Sequence, residues 1–236
     1  NVIDGVKLAL QASAKIGEIL LVGKQDEIES ALTKSECRDS RLKIVHASEF
    51  LEMDEKPVEA IKRKKDSSIL RAVELVRDKK ADAIISQGNT GGIVAASHIR
   101  LRPLPGIERP AIAVIMPRVK GEWVLLDGGA NPETSALQMA QSAVMGSVYY
   151  KAMLNNASPR VGILSNGSEE IKGNDLTRDA LALCKKLDLN FIGYVEGSDI
   201  FAGNVEVVIA DGFVGNIVLE SISGMGKAVQ EIMKSE

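Results

Sequence analysis

Eight apolar runs of strand length recur along this chain with helix-like segments between them, and that alternation limits the folds open to it. The runs are "EILLVG", "LKIVHA", "ADAIIS", "AIAVIM", "WVLLDG", "RVGILS", "NFIGYV" and "VEVVIA". Several are apolar at consecutive positions, so both faces of the strand need cover, as when helices flank a parallel sheet. The intervening "SSILRAVELVRDKK" and "DLTRDALALCKKL" place apolar residues at helical spacing with charges between them. Repeated β and α units of this kind predict an α/β fold built on a largely parallel, doubly wound sheet.

The rhythm breaks at "RLRPLPGIERP", where Pro103, Pro105 and Pro110 exclude a helix interior or a central strand. Two strand candidates then follow with only "PRVKGE" between them, which predicts an antiparallel pair. The junction of two subdomains within one 1–236 domain therefore falls near residues 100–122. The chain opens on a helical stripe of Val2, Val6, Leu8 and Leu10, where a doubly wound fold begins with a strand. It stops on another helical pattern, "IVLESISGMGKAVQEIMKSE", so both ends read as cut. Val214, Val218, Ile222, Met225, Val229 and Ile232 recur there at helical intervals, a stripe that suits either a subunit interface or packing within the subunit.

Composition removes several functions. Lys and Arg number 29 against 32 Asp and Glu, and a net charge of −3 lacks the basic excess of a nucleic-acid binder. Aromatic residues are 3% of the chain, too few for base-stacking platforms. No apolar run has the length of a membrane span, and "NVIDGVKLAL" lacks the layout of a secretory signal. Cys37 and Cys184 form no C-x-x-C pair and read as reduced thiols of a cytoplasmic protein, in which the sequons at Asn156 and Asn166 have no meaning.

Small polar residues collect after the strands. "AIIS" is followed by Gln87-Gly88-Asn89-Thr90-Gly91, "VLLD" by Gly128-Gly129-Ala130-Asn131, and "GILS" by Asn166-Gly167-Ser168. "GYV" leads to Glu196-Gly197, and "VVIA" to Asp211-Gly212-Phe213-Val214-Gly215-Asn216. Glycine and asparagine also simply end strands and open helices, but five such loops together predict one crevice at the carboxyl ends of the sheet. If Asn89 or Thr90 starts a helix, the unpaired N–H groups of its first turn and the bare backbone at Gly88, Gly91 and Gly92 form a cradle for an anion such as phosphate. The spacing matches neither a Walker A loop nor a dinucleotide fingerprint.

The inventory of catalytic side chains is sparse. G-x-S-x-G and H-E-x-x-H are absent, and of the two histidines His46 ends an apolar run while His98 follows the Gly-rich turn on a helix. Such a chain suits a reaction whose nucleophile comes with the substrate. In "MDEKPVEAIKRKKDSS", Lys56, Lys62, Arg63, Lys64 and Lys65 form a local basic cluster, either a solvated face or a docking patch for an acidic partner.

Together, "IVHASEFLEMDEKPVEAIKRKKDSSI", "ADAIISQGNTGGIVAA", "PGIERPAIA", "LLDGGAN", "RVGILSNGSEEIKGNDLT" and "VIADGFVGNIVLE" closely resemble the bacterial phosphate acyltransferase (PlsX) family, in that family's order and over nearly the whole chain. The resemblance implies transfer of a fatty acyl group from acyl carrier protein to inorganic phosphate, for phospholipid synthesis. It implies a homodimer in the cytoplasm, loosely associated with the inner membrane face. It also implies the α/β fold shared by phosphotransacetylases and isocitrate or isopropylmalate dehydrogenases. The family's opening strand with its Asp-Ala-Met-Gly-Gly-Asp turn, and its Gly-rich, His-Gly-containing C-terminal portion, have no counterpart in this sequence.

Phosphate is already an oxyanion at neutral pH, so no acyl-enzyme is required. The protein has to hold phosphate against a thioester carbonyl and stabilise the tetrahedral oxyanion. On that scheme Gly88, Asn89, Thr90, Gly91 and Asn131 are phosphate-binding candidates. Asn89, Asn166 and Asn216 are candidate catalytic donors, Lys172 the cation near developing charge, and Asp211 the residue that orients a donor. Neither a metal nor an organic cofactor enters the scheme. Two other functions stay open at this level: an NAD-dependent decarboxylating dehydrogenase of the same fold, and a non-catalytic module that binds acyl carrier protein.

Overall fold

In the computed structural model, which describes residues 2–235, the first two apolar runs form β1 (Ile19–Gly23) and β2 (Leu42–His46). They pair in parallel from Ile19↔Leu42 to Gly23↔His46. The chain divides among its prolines into unit 1 (Asn1–Leu104) and unit 2 (Pro105–Glu236). In unit 1, α1 (Val2–Ala12) and α2 (Gln25–Lys34) surround Ile3, Leu21 and Cys37, with Val6, Ile28 and Leu32 packed on them. Arg41 holds the end of α1 by donating to the carbonyls of Leu10 at 2.9 Å and Ser13 at 3.2 Å, as a cation at a helix C-terminus should. The Asp39 carboxylate grips the same guanidinium at 2.7 Å, and hydrogen bonding to Arg41 holds the Asp39 pKa at about 2.

A second cluster in unit 1 comes from α3 (Pro57–Arg63), α4 (Ser68–Arg77) and α5 (Thr90–Arg100), which bury Ala60, Ile61, Leu70, Val73 and Ala96. Pro57 opens α3, where its missing N–H costs nothing. Ser67 stands at the N-cap of α4, and the Asp66 carboxylate before it accepts from the Ser48 hydroxyl at 2.6 Å and from Arg71 Nε at 2.6 Å.

The third apolar run departs from the strand expected there. Residues 81–86 join no ladder: Ile84 packs on the α3–α5 cluster and Ile85 is 97% exposed. Apolar content reports a tendency to burial, whereas a strand also needs a neighbour to exchange backbone hydrogen bonds. Among the described residues of unit 1, only β1 and β2 form such a ladder.

Unit 2 holds a five-stranded sheet. Its elements are β3 (Val114–Pro117), β4 (Glu122–Leu126), α6 (Ala136–Leu154), β5 (Val161–Leu164), α7 (Asp175–Cys184), β6 (Phe191–Val195), α8 (Gly197–Ala202), β7 (Val207–Ile209) and α9 (Gly212–Ser235). The strand order is β3-β4-β7-β5-β6, parallel except for β3, which makes the expected antiparallel pair with β4. The edge strand β6 carries an irregularity opposite the Val161–Gly162 step, with Gly193 in the left-handed region at φ +92°.

Alternate residues of β4 and β7 serve two cores. Val124, Leu126, Val207 and Ile209 pack with Met139, Ala143 and Tyr150 of α6 and Ala180 and Cys184 of α7. Trp123, Leu125 and Val208 pack on the other face with Ile200 of α8 and Val218, Leu219 and Ile222 of α9. Helices on both faces make the unit doubly wound. At the start of β7, buried Glu206 accepts from Arg160 Nη2 at 2.6 Å and from Arg118 Nη2 at 3.3 Å, tying the β3–β4 turn to the entry of β5.

Candidate active site

Neighbouring strands β5 and β7 send their chains to opposite faces of the sheet, through α7 and α9. Their carboxyl ends therefore lie at a topological switch point, where open α/β sheets bind ligands. A cavity of about 640 Å³ sits there, lined by Ser165 and Asn166 after β5, Ala210 and Asp211 after β7, and side chains of α8 and α9. Of the five loops expected to share one crevice, those after β5, β6 and β7 line this cavity, with Asn166 and Asp211 together in it, while residues 128–131 after β4 lie outside its lining.

Asn166 is held by its oxygen, which accepts from the N–H of Gly173 at 2.9 Å, while its Nδ2 has no acceptor among the described residues. Lys172 lies on the same loop, its methylenes against Gly167. Its ammonium pairs with no carboxylate among the described residues. Asp211 Oδ1 accepts from the N–H groups of Phe213 at 3.0 Å and Val214 at 2.9 Å, so the carboxylate caps α9 and faces its positive end.

The loop after β4 is organised by a residue that the sequence reading passed over. Buried Asp127 accepts from the N–H groups of Ile112 (3.0 Å), Gly129 (3.1 Å), Ala130 (2.9 Å) and Asn131 (2.8 Å). It also accepts from Asn131 Nδ2 at 2.7 Å, and the same nitrogen donates to the Pro110 carbonyl at 2.8 Å. Both amide hydrogens of Asn131 are thereby committed, and the side chain has no donor left for phosphate. An Asp followed by glycines at a strand end is an Asx-turn signal that could have revealed this.

Helix α9 starts directly against that loop. A Cβ on Gly212 would fall 2.6 Å from the Asn131 backbone, and one on Gly215 would overlap the Asp127 carbonyl oxygen. Only glycine permits so close an approach. Asn216 follows on the next turn beside Gly129, outside the lining of the cavity.

In unit 1, Asn89 is the N-cap of α5: its Oδ1 accepts from the N–H of Gly92 at 2.8 Å. Its Nδ2 reaches the carbonyls of Glu52 at 3.0 Å and of Met53 and Glu55 at 3.3 Å, stapling the preceding loop to the helix. The side chain is buried and fully engaged, so it is a positioning group. The N–H groups of Thr90 and Gly91 remain without acceptors among the described residues, at the positive end of the helix dipole. Gly88 is exposed beside them.

The basic cluster is partly neutralised from within. Glu55 takes both Arg63 and Lys64, the latter at 2.6 Å, and hydrogen bonding from Lys64 holds its carboxyl below the usual range. Lys64 also donates to the Phe50 carbonyl at 2.8 Å, and Lys56 pairs with Glu59 at 3.5 Å. Lys62 and Lys65 are left unpaired among the described residues.

A doubly wound sheet with a crevice at its switch point defines an α/β architecture, and the fold is phosphotransacetylase-like. EutD phosphotransacetylase from Staphylococcus aureus shares the fold at a TM-score of 0.65 and 18% identity, over 95% of this chain and 79% of that one. The chain belongs to the fatty acid synthesis protein family, whose model matches residues 1–236. It is 44% identical to the phosphate acyltransferase of Geotalea daltonii over 98% of this chain and 67% of that protein. It is 48% identical to the phosphate acyltransferase of Myxococcus xanthus over 90% of this chain and 60% of that protein. The chain thus spans 60–67% of the length of these curated relatives.

Proposed function

We propose that this protein transfers a fatty acyl group from acyl carrier protein to inorganic phosphate, giving acyl-phosphate for phospholipid synthesis. The observation that carries this is relatedness over at least 90% of the chain to proteins named phosphate acyltransferase. In the reaction a phosphate oxygen attacks the thioester carbonyl, a tetrahedral oxyanion forms, and the C–S bond breaks as the carrier leaves as thiolate. In unit 1 the N–H groups of Thr90 and Gly91 are the candidates to bind phosphate, with Gly88 leaving it room and Asn89 fixing the helix start. In unit 2 Asn166 Nδ2 is the candidate donor to the thioester carbonyl, and Lys172, on the same loop outside the cavity wall, adds positive charge. Asp211 and Asn216 set the start of α9 that borders the crevice. Asn131 acts through the Asp127 loop.

Lys62 and Lys65 lead the docking patch for the acidic carrier, with Lys56, Arg63 and Lys64 adding charge around them. The enzyme works in the cytoplasm as a homodimer, joined through the exposed half of α9, and meets the inner membrane face peripherally. No helix among the described residues is long and apolar enough to cross a membrane.

The test is acyl carrier protein thioester incubated with full-length protein, with and without phosphate, and acyl-phosphate read directly by phosphorus NMR. Acyl-phosphate formed together with free carrier thiol, only when phosphate is present, is expected. Thioester loss without phosphate, or no product with it, overturns the proposal.

A further inference from the structure

The unit 2 crevice is polar at the strand ends, at Asn174 and Thr177 where α7 starts and at Ser221 of α9, and apolar elsewhere. Buried Met139 and Ile200 form its depth, and Phe201 and Ile217 stand at its mouth, 42% and 49% exposed. Side chains of this kind are usually buried, and a cluster left open around a cavity marks a surface built for an apolar ligand. The volume, about 640 Å³, lies within the ~300–1,000 Å³ of small-molecule sites.

Charge narrows the ligand further. Among the described lining residues Asp211 is the single ionisable group, and no Lys, Arg or His reaches the cavity wall. A carboxylate held within the cavity would find no countercharge in its walls and would face Asp211. A neutral carbonyl on an aliphatic tail finds the free Nδ2 of Asn166 beside Ser165, and apolar walls beyond.

We infer that this crevice holds the aliphatic chain of the acyl thioester, with Ile217 and Phe201 as chain-length determinants and Asp211 as the group that excludes free fatty acid. The inference rests on the acyl-transfer proposal for its substrate class. It goes beyond it in assigning the tail to the space between α8 and α9 and in predicting discrimination between thioester and acid. Asp211 discriminates by repulsion: its carboxylate is fixed by two backbone N–H groups and cannot turn away from the cavity without uncapping α9.

The sequence contains one tryptophan, Trp123, whose ring meets Phe201 edge-on at 6.2 Å between centroids, so its fluorescence reports occupancy. Acyl-N-acetylcysteamine thioesters of increasing length are titrated into full-length protein, followed by fluorescence and calorimetry. Affinity should rise by about fourfold per added methylene until the cavity is full, and free acids of equal length should bind at least about tenfold more weakly. Asp211→Asn keeps a good cap and should narrow that gap. Ser221→Phe and Ile217→Gln, both at exposed positions of α9, should weaken the longest thioester at least about tenfold and spare the shortest.

Affinity independent of length, acids binding as tightly as thioesters, or indifference to both α9 variants would overturn the assignment, as would a crevice that takes apolar peptides in preference to any thioester. Failure of the acyl-transfer proposal is separate, because wild-type protein would then make no acyl-phosphate whatever it binds. If acyl-phosphate forms and its chain-length profile ignores these variants, the transfer proposal stands and the crevice assignment falls.

Discussion

The Asn131 amide nitrogen lies 2.7 Å from the Asp127 carboxylate, in a loop against which α9 begins. Asp127→Ala would leave four backbone N–H groups, one buried and three part-buried, and this amide without their acceptor. Orphaned buried donors cost about 1–3 kcal/mol each before relaxation, so we expect a loss of at least about 3 kcal/mol in urea unfolding. A loss under about 1 kcal/mol would show that the loop re-forms around another acceptor.

Asn89→Asp separates the two halves of that side chain's work. The cap to Gly92 survives because Asp is as good an N-cap as Asn. The donations to the carbonyls of Glu52, Met53 and Glu55 are lost, and a negative charge appears beside the proposed phosphate. Phosphate KM should rise at least about tenfold while the KM for acyl carrier protein barely moves. Normal phosphate saturation would remove the α5 terminus from the site.

Glu206 gives a pH-dependent contribution. Burial disfavours its charge, but hydrogen bonds from Arg160 and Arg118 outweigh that and hold the carboxyl below its ordinary value of 4.5. Its folded pKa is depressed, so its stabilisation is complete above the unfolded pKa and is lost as pH falls through the folded one. Glu206→Gln should cost about 1–3 kcal/mol near neutrality and progressively less in acid. Unfolding curves at several pH values check the convergence; a gap that widens in acid contradicts the assignment.

How far the sequence could reach is clear from these residues. Seven of the eight apolar runs form strands, because burial on two faces leaves consecutive apolar residues and turn residues follow at once. Residues 81–86 were misjudged because pairing is a property of the neighbour. That Asn166 and Asp211 share one cavity could be anticipated, because each follows a strand at the same end of the sheet. The amides of Asn89 and Asn131 were assigned to a ligand although the fold engages both, since a sequence shows that an amide is present and not what it bonds. The apolar mouth of the crevice was invisible, because Phe201 and Ile217 read as ordinary core until their exposure is known.

The basic cluster splits into two classes with different expected behaviour. Lys62→Glu with Lys65→Glu should slow association with acyl carrier protein, an effect that shrinks as salt rises. Lys64→Glu instead breaks its contacts with Glu55 and Phe50 and should lower stability as well. Equal carrier kinetics for wild type and the double variant at low salt would leave the cluster a solvated face.

On α9, Met225 is 66% exposed and Ile232 61%, while Val218 and Ile222 pack on the sheet. Met225→Glu with Ile232→Glu should therefore leave folding intact and turn a dimer into a monomer. Sedimentation of the full-length variant at micromolar concentration reads this directly; an unchanged mass places the interface elsewhere.

The two borders of the unit 2 sheet govern how copies of this protein can meet. On one side β3 is only four residues long and ends at Pro117, which has no N–H to offer a further strand. On the other, the irregularity in β6 and the left-handed turn of Gly193 bend the backbone out of the flat register that a templating strand requires. Crowded chains are thereby steered away from edge-to-edge growth into fibrils, and self-association is left to helical surfaces, where it can be limited and reversible.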